Sequence, residues 1–307
     1  MNNLICIAGP TASGKTALSI ALAKELDAEI VSCDSMQIYR RMDIGTAKPS
    51  LEERDGIVHH MLDVADPEED FSVSRYCNMA SPIVDDILSR GKTAIIVGGT
   101  GLYMDNLIKG TEFAPFPSTG VREQLEAEPI EDVYARLQAI DPEAAARLHL
   151  ADKKRIIRAM EVFLETGETI TEHDRRSRAI PPKYSPLWFA LEDEDRADLY
   201  ERIDHRVDVM LQQGLVEEIH ALLSSGISPN CTAMQAIGYK EFVDALSGKI
   251  SIDEAADQVR QSSRHYAKRQ LTWFRRNKAI HWLRRSKTCG SAEILSDARR
   301  ILRENDK

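Results

Sequence analysis

The chain has 307 residues, 43% of them hydrophobic and 29% charged, and a formal net charge of −9 at pH 7. That length and apolar content suffice for a full core and predict one large globular domain carrying a smaller one. Five scattered cysteines without a C-x-x-C pair argue against a disulfide framework or zinc knuckle, no apolar run nears the roughly 18 residues of a membrane span, and Met1-Asn2-Asn3 has no basic leader, so a cytoplasmic protein is expected.

The predicted elements begin with a strand, Leu4–Ala8, running into Gly9-Pro10-Thr11-Ala12-Ser13-Gly14-Lys15-Thr16. This is the pattern G-x-x-x-x-G-K-[ST]. Its glycines let backbone N–H groups converge on phosphate oxygens, Lys15 adds a point charge, and the Thr16 hydroxyl can reach a bound Mg²⁺. Apolar spacing predicts a helix over 17–26. A second strand, 29–33, delivers Asp34-Ser35-Met36-Gln37 to the same sheet edge, because parallel strands end together. Asp34 there can hold a metal through water or act as a general base; capping the next turn is the plainer reading.

Residues 59–64 read as a further strand, and His59 and His60, without a metal-spaced partner, as structural. A helix is predicted over 73–90, closed by Gly91. A strand at Thr93–Val97 then opens into Gly98-Gly99-Thr100-Gly101, where glycines admit a ligand close to the backbone. Proline-rich stretches at 113–118 and 180–186 mark the ends of an insertion. The expected organisation is α/β: residues 1–112 as the first part of a P-loop NTPase-like parallel core, 113–183 as an inserted helical domain, and 184–307 as the core continuation with a helical, basic C-terminal region. Helices are predicted in the insertion at 121–128, 130–139, 142–148 and 151–166. A strand at 187–191 and helices at 196–213, 216–224 and 252–276 follow.

Charge is unevenly spread. From 258 to 292 the chain has ten Lys and Arg and no Asp or Glu, so the acidic total does not exclude a polyanionic partner. On the 252–276 helix Arg264, Lys268 and Arg275 share a stripe, with Tyr266, Trp273 and Phe274 interleaved. That mixture suits phosphate contacts with base stacking, and equally a helix burying its aromatics. Lys154, Arg155 and Arg158 lie near one face of the 151–166 helix, with Ile156 and Ile157 elsewhere; a solvated face is the plainer reading.

The segments 9–16, 34–39, 43–49, 98–103, 237–241 and 268–275 occur in the order seen in tRNA dimethylallyltransferases, and the chain resembles that family over nearly its whole length. The resemblance implies that the 9–16 loop grips the diphosphate of dimethylallyl diphosphate as a leaving group, and that the allylic group passes to N6 of adenosine 37 beside the anticodon of a tRNA. It implies that Asp34 takes the amine proton, that Lys15 and Arg206 neutralise the diphosphate, that Thr16 helps hold Mg²⁺, and that Thr100 contacts the tRNA and supports the reacting site. Asp34, Ser35, Met36 and Gln37 would meet the tRNA, with Gln37 reading the flipped-out adenine. Further tRNA contacts are implied for Arg122, for Lys154, Arg155, Ile156, Ile157 and Arg158, for Gln235, Ala236, Ile237, Gly238, Tyr239 and Lys240, and for Lys268 and Arg275.

Eukaryotic members often add a C-terminal zinc finger; with Cys289 the single late cysteine, the chain resembles the bacterial type. A monomer is expected, and ATP binding at the loop stays open. Three other readings remain at this point: prenylation of free AMP or another adenine nucleotide, a P-loop kinase or NTPase, and a non-catalytic RNA-binding module. The basic 258–292 stretch and the insertion disfavour the first. No base-pocket or acceptor signature supports the second, and the third leaves Asp34 and the phosphate loop without a task.

Overall fold

The computed structural model describes residues 3–111, 113, 119–287 and 290–305. The first apolar run is strand β1 (Leu4–Ala8), followed by α1 (Lys15–Leu26), β2 (Ala28–Ser32), α2 (Leu51–Arg54), β3 (His59–His60), α3 (Val73–Ser89), β4 (Thr93–Val97) and α4 (Gly101–Lys109). Residues 111–182 form a separate compact unit containing α5 (Val121–Ala127), α6 (Ile130–Ile140), α7 (Pro142–Arg147), α8 (Lys153–Thr166) and α9 (Ile170–Ala179). The first unit resumes with β5 (Leu187–Asp193), α10 (Arg196–Gln212), α11 (Leu215–Ser224), α12 (Lys240–Leu246), α13 (Ile252–Phe274), β6 (Ile280–Arg285) and α14 (Ser291–Asn305).

Six parallel strands form one sheet in the order β3-β2-β4-β1-β5-β6. Every residue of β1 and β2 is buried, as expected of parallel strands covered on both faces. Helices α1 and α14 set Leu18, Leu22, Ile294 and Ile301 against Ile5, Ile7, Ile30 and Phe189, each such burial stabilising by about 2–3 kcal/mol. Helix α3 buries Tyr76, Val84 and Ile87, stacks Tyr76 on Tyr103 of α4 at 4.7 Å, and anchors its hydroxyl on the Ser32 carbonyl at 2.9 Å.

Helices α10 and α13 run antiparallel, because Arg264 pairs with Asp204 while Arg260 pairs with Asp208. Their shared cluster of Leu199, Ile203 and Ala267 includes Ala12 of the phosphate loop. Around the insertion, Lys183 N–H donates to the Lys109 carbonyl and Tyr184 N–H to that of Ile108, each at 3.1 Å. The helical unit has its own core of Leu125, Val133, Leu137, Ile156 and Met160. Its buried Asp141 accepts the Ala144 and Thr171 N–H groups and the Thr171 hydroxyl.

Some expectations change. The strand expected over 59–64 stops at His60, because Met61 and Asp63 take φ values of 62° and 56°, which an extended strand cannot hold. Helices α2, α4, α9, α12 and α14 and strand β6 were not anticipated. Of the proline-rich lead-in at 113–118, Phe113 alone lies within the described residues, and Cys289 lies outside them. No helix among the described residues is long and apolar enough to cross a membrane.

Candidate functional site

Three loops leave the C-terminal ends of β1, β2 and β4 at one sheet edge and surround a cavity of about 330 Å³. In the loop after β1, Gly9 and Gly14 take φ values of 141° and 93°. A Cβ at Gly9 would stand 3.0 Å from the Leu191 carbonyl oxygen, so the turn depends on glycine there. Lys15 Nζ donates to the Pro10 carbonyl at 2.6 Å, and Ser13 Oγ donates to the same oxygen at 2.8 Å. The loop is therefore folded around its own lysine.

Lys15, Thr16, Asp34, Gln37, Arg206, Tyr266 and Gln270 line the polar part of the cavity, and Leu62, Val207, Met210, Ile237 and Val259 its apolar part. Burial first, and then Arg206, bring the Lys15 ammonium down to about 7, with Asp34 opposing. Burial also lowers Arg206, again opposed by Asp34. Asp34 Oδ1 accepts the N–H groups of Met36 at 2.9 Å and Gln37 at 3.3 Å, which is the capping role. Its second oxygen makes no hydrogen bond among the described residues.

Thr100 ties two of the loops together, its hydroxyl accepting the Ser35 N–H at 3.1 Å. Gly98 has no room for a side chain: a Cβ would fall 1.9 Å from the Cys33 carbonyl oxygen. Burial and then Asp34 push the Tyr266 phenol up to about 12, with Thr100 opposing. Gln37 faces the cavity, but its amide accepts from Ser32 Oγ at 3.1 Å and donates to the Thr46 and Ala47 carbonyls at 3.2 Å each. To read a base edge it would have to exchange those bonds.

Several residues expected at an RNA surface are interior. Ile156 and Ile157 belong to the helical unit's core at 0% and 7% exposure, which removes their side chains from any contact with a partner. Tyr239 is fully buried and donates its hydroxyl to Glu218 at 2.6 Å. Glu218, which the sequence reading missed, also accepts the N–H groups of Asp43, Ile44 and Gly45, so the 43–49 and 237–241 segments meet through it. Ala236, Ile237 and Gly238 line the cavity, whereas Gln235 and Lys240 are exposed.

On the cationic side, Lys154 and Arg155 are exposed, while Arg122 and Arg158 both approach Glu161, at 3.5 and 2.7 Å. Lys268 is exposed on α13; Arg275 is exposed and bonded to Glu192, which also takes Arg284. The interleaved aromatics are not a stacking row. Phe274 is in the core, Tyr266 faces the cavity, and Trp273 donates to Asp105 at 2.9 Å. His60 is bonded to Glu29 at 2.8 Å and His59 to the Ile57 carbonyl.

Tyr266 and Gln270 were also missed as site residues; their spacing of four, which puts both on one helix face, was the available signal. No group of three His, Cys, Asp or Glu that could hold a metal occurs among the described residues. The Thr16 hydroxyl and the Asp34 carboxylate share the cavity, and so sparse a donor set fits Mg²⁺, which keeps water and binds largely through its ligand's phosphates.

The chain has relatives among known proteins. The family model described as IPP transferase matches residues 37–277. A tRNA dimethylallyltransferase of Acetivibrio thermocellus is 43% identical over 98% of both chains, and one of Alkaliphilus oremlandii 48% identical over 91% of this chain and 90% of its own. Among solved structures, the tRNA isopentenylpyrophosphate transferase of Bacillus halodurans superposes with a TM-score of 0.74 at 39% identity, covering 98% of this chain and 96% of that one. A eukaryotic dimethylallyltransferase acting on tRNA gives 0.86 at 30% identity, covering 99% and 78%.

Proposed function

The chain belongs to the IPP transferase family, that of the tRNA dimethylallyltransferases, and from that premise we propose that it transfers the dimethylallyl group of dimethylallyl diphosphate to N6 of adenosine 37 in tRNA. The observation that carries the chemistry is the meeting of Lys15, Arg206 and Asp34 in one cavity beside a phosphate loop. In the reaction the N6 lone pair attacks C1 of the allylic group, the C1–O bond breaks, and its electrons leave on the diphosphate. Negative charge grows on the leaving group, where Lys15 and Arg206 stabilise it. The proton lost from N6 goes to Asp34 as general base.

Thr16 would hold Mg²⁺ together with the substrate's phosphates, the ion supplying further charge neutralisation there. The apolar wall of Val207, Met210 and Val259 suits the five-carbon tail. In this reading Gln37 exchanges its loop bonds for the adenine edge, and Thr100 supports the reacting site. Arg122, Lys154, Arg155, Arg158, Gln235, Lys240, Lys268 and Arg275 meet the tRNA, the cations at phosphates or splayed bases. The helical unit, taken as 113–183 from the sequence, serves the anticodon arm. In this reading the protein works as a monomer in the cytoplasm.

The test incubates the protein with labelled dimethylallyl diphosphate and Mg²⁺, with total tRNA in one arm and AMP in the other. Label in N6-modified adenosine of tRNA is expected. Label in AMP alone, or consumption of ATP without any label transfer, would replace this reading with a nucleotide prenyltransferase or a kinase.

A further inference from the structure

Helix α13 meets the loop after β4 with successive side chains of one face. The Gln270 amide nitrogen donates to the Gly99 carbonyl at 3.0 Å, and the Trp273 ring fills the space that a Cβ at Gly101 would need. Gln270 does one thing more. Its amide oxygen accepts the Thr11 N–H at 3.0 Å, so a single side chain, 6% exposed, spans from the phosphate loop to the loop that ends in Thr100.

The amide's orientation follows from its partners: an N–H demands the oxygen and a carbonyl demands the nitrogen. A Cβ at Gly99 would fall 2.0 Å from that nitrogen, so the loop is shaped to receive it. On one side of Gln270, Thr11 follows Pro10, whose carbonyl holds Lys15 Nζ. On the other, Gly99 precedes Thr100, whose hydroxyl holds the N–H of Ser35 next to Asp34.

Resting on the transferase reading above, we infer that Gln270 is a positioning residue that fixes the spacing between the cation gripping the leaving diphosphate and the carboxylate receiving the amine proton. Neither substrate needs Gln270 in order to bind; the transfer step needs the two loops at one separation. Misplacement by about 1 Å can cost about 10²-fold in rate.

The test compares wild type with Gln270→Met, which keeps side-chain length and removes both bonds, and Gln270→Glu, which keeps the acceptor for Thr11 and loses the donor to Gly99. Single-turnover transfer to tRNA, the affinity for each substrate, and the thermal midpoint are measured for all three. The expected result for Gln270→Met is a loss of about 10²-fold in transfer at saturation, with both affinities within about threefold. For Gln270→Glu, burial at this position raises the introduced carboxyl and protonation restores a donor, so its rate relative to wild type rises as pH falls from 8 to 6.

Transfer by Gln270→Met within threefold of wild type would overturn the inference. So would a loss residing wholly in substrate affinity, or a pH-independent Gln270→Glu ratio. If Gln270→Met melts below the assay temperature, the Gln270→Glu pH ratio decides alone. Failure of the transferase reading shows separately, as absence of label with the wild-type protein.

Discussion

The cations of the cavity and those of the surface are arranged in opposite ways. On the core's surface Arg264 faces Asp204, Arg275 and Arg284 share Glu192, and Arg90 is bonded to Glu29; in the helical unit Arg122 and Arg158 share Glu161. In the cavity Lys15 gives its ammonium to a backbone carbonyl, and Arg206 has no ion pair among the described residues; Asp34 acts on both from farther away. Charge density in the sequence drew attention to 258–292, yet much of that charge is neutralised at home. A half-buried cation without a counterion costs stability. Such a cation marks a place where a ligand brings the missing anion.

The largest expected effect isolates the anion of that cavity. Asp34→Asn should lower single-turnover transfer by about 10²–10⁴-fold, the usual contribution of a positioned base, while tRNA affinity stays within a few fold. A near-normal rate would reduce Asp34 to the capping role that its Oδ1 already plays.

Next comes its cation. Lys15→Ala should weaken dimethylallyl diphosphate binding and slow transfer together, by about 10²–10³-fold, and leave tRNA binding without the small substrate nearly unchanged. The pH dependence has a definite sign. The folded apo protein holds this lysine near 7 against an ordinary 10.5, so its cost to stability is full below pH 7 and fades as pH rises toward 10.5. A diphosphate ligand favours the charged form. Its affinity should therefore fall above pH 7, approaching tenfold per unit, and Lys15→Ala should lack that limb; calorimetry in buffers of different ionisation enthalpy would reveal the proton taken up.

Smaller effects are expected where cations are exposed or shared. Lys154→Ala should reduce the salt slope of log K for tRNA by roughly 0.7, the single-strand value per phosphate contact. Arg158→Ala should change it less, because Glu161 already occupies that guanidinium, and Glu161→Gln should strengthen tRNA binding. A slope unmoved by Lys154→Ala would leave that helix face merely solvated.

The smallest effect on transfer belongs to a fully paired cluster. The Arg90 bond, against the burial that opposes it and with His60 and Lys92 assisting, holds Glu29 down to about 2. A depressed carboxylate stabilises the fold above its ordinary value of 4.5, and that stability is lost as pH falls through about 2. Glu29→Gln should thus leave transfer unchanged and lower the urea midpoint at pH 7. Acidification toward pH 3 should narrow the gap to wild type; a constant gap would mean that Glu29 acts through packing instead of charge.

The central strands and the phosphate loop were legible because local pattern determines them: apolar runs bounded by glycine, and a strand feeding a helix. Helix α4 was hidden because Gly98-Gly99-Thr100-Gly101 reads as a turn, although Gly101 is the first helical residue. Helix α9 is too polar for periodicity to reveal, and its signal was the capping box of Thr169 and Glu172. Ile156, Ile157 and Tyr239 were assigned tRNA contacts through the resemblance alone, because a motif specifies neighbours in sequence and says nothing of exposure. Gln270 and Glu218 escaped for a different reason. Their partners lie 259 and about 175 positions away, and no local rule spans such a distance.

The strand order has a consequence for synthesis. Strand β1 lies between β4 and β5, yet β5 begins at Leu187, after the whole helical unit. At about 5–20 residues per second, the ribosome leaves one hydrogen-bonding edge of an entirely apolar strand unpaired for about 10–40 s. Throughout that interval the nascent chain presents an adhesive border to its neighbours on the polysome. Slowing elongation before residue 187 should therefore lower soluble yield and raise the demand for chaperones, without altering a single contact of the finished protein.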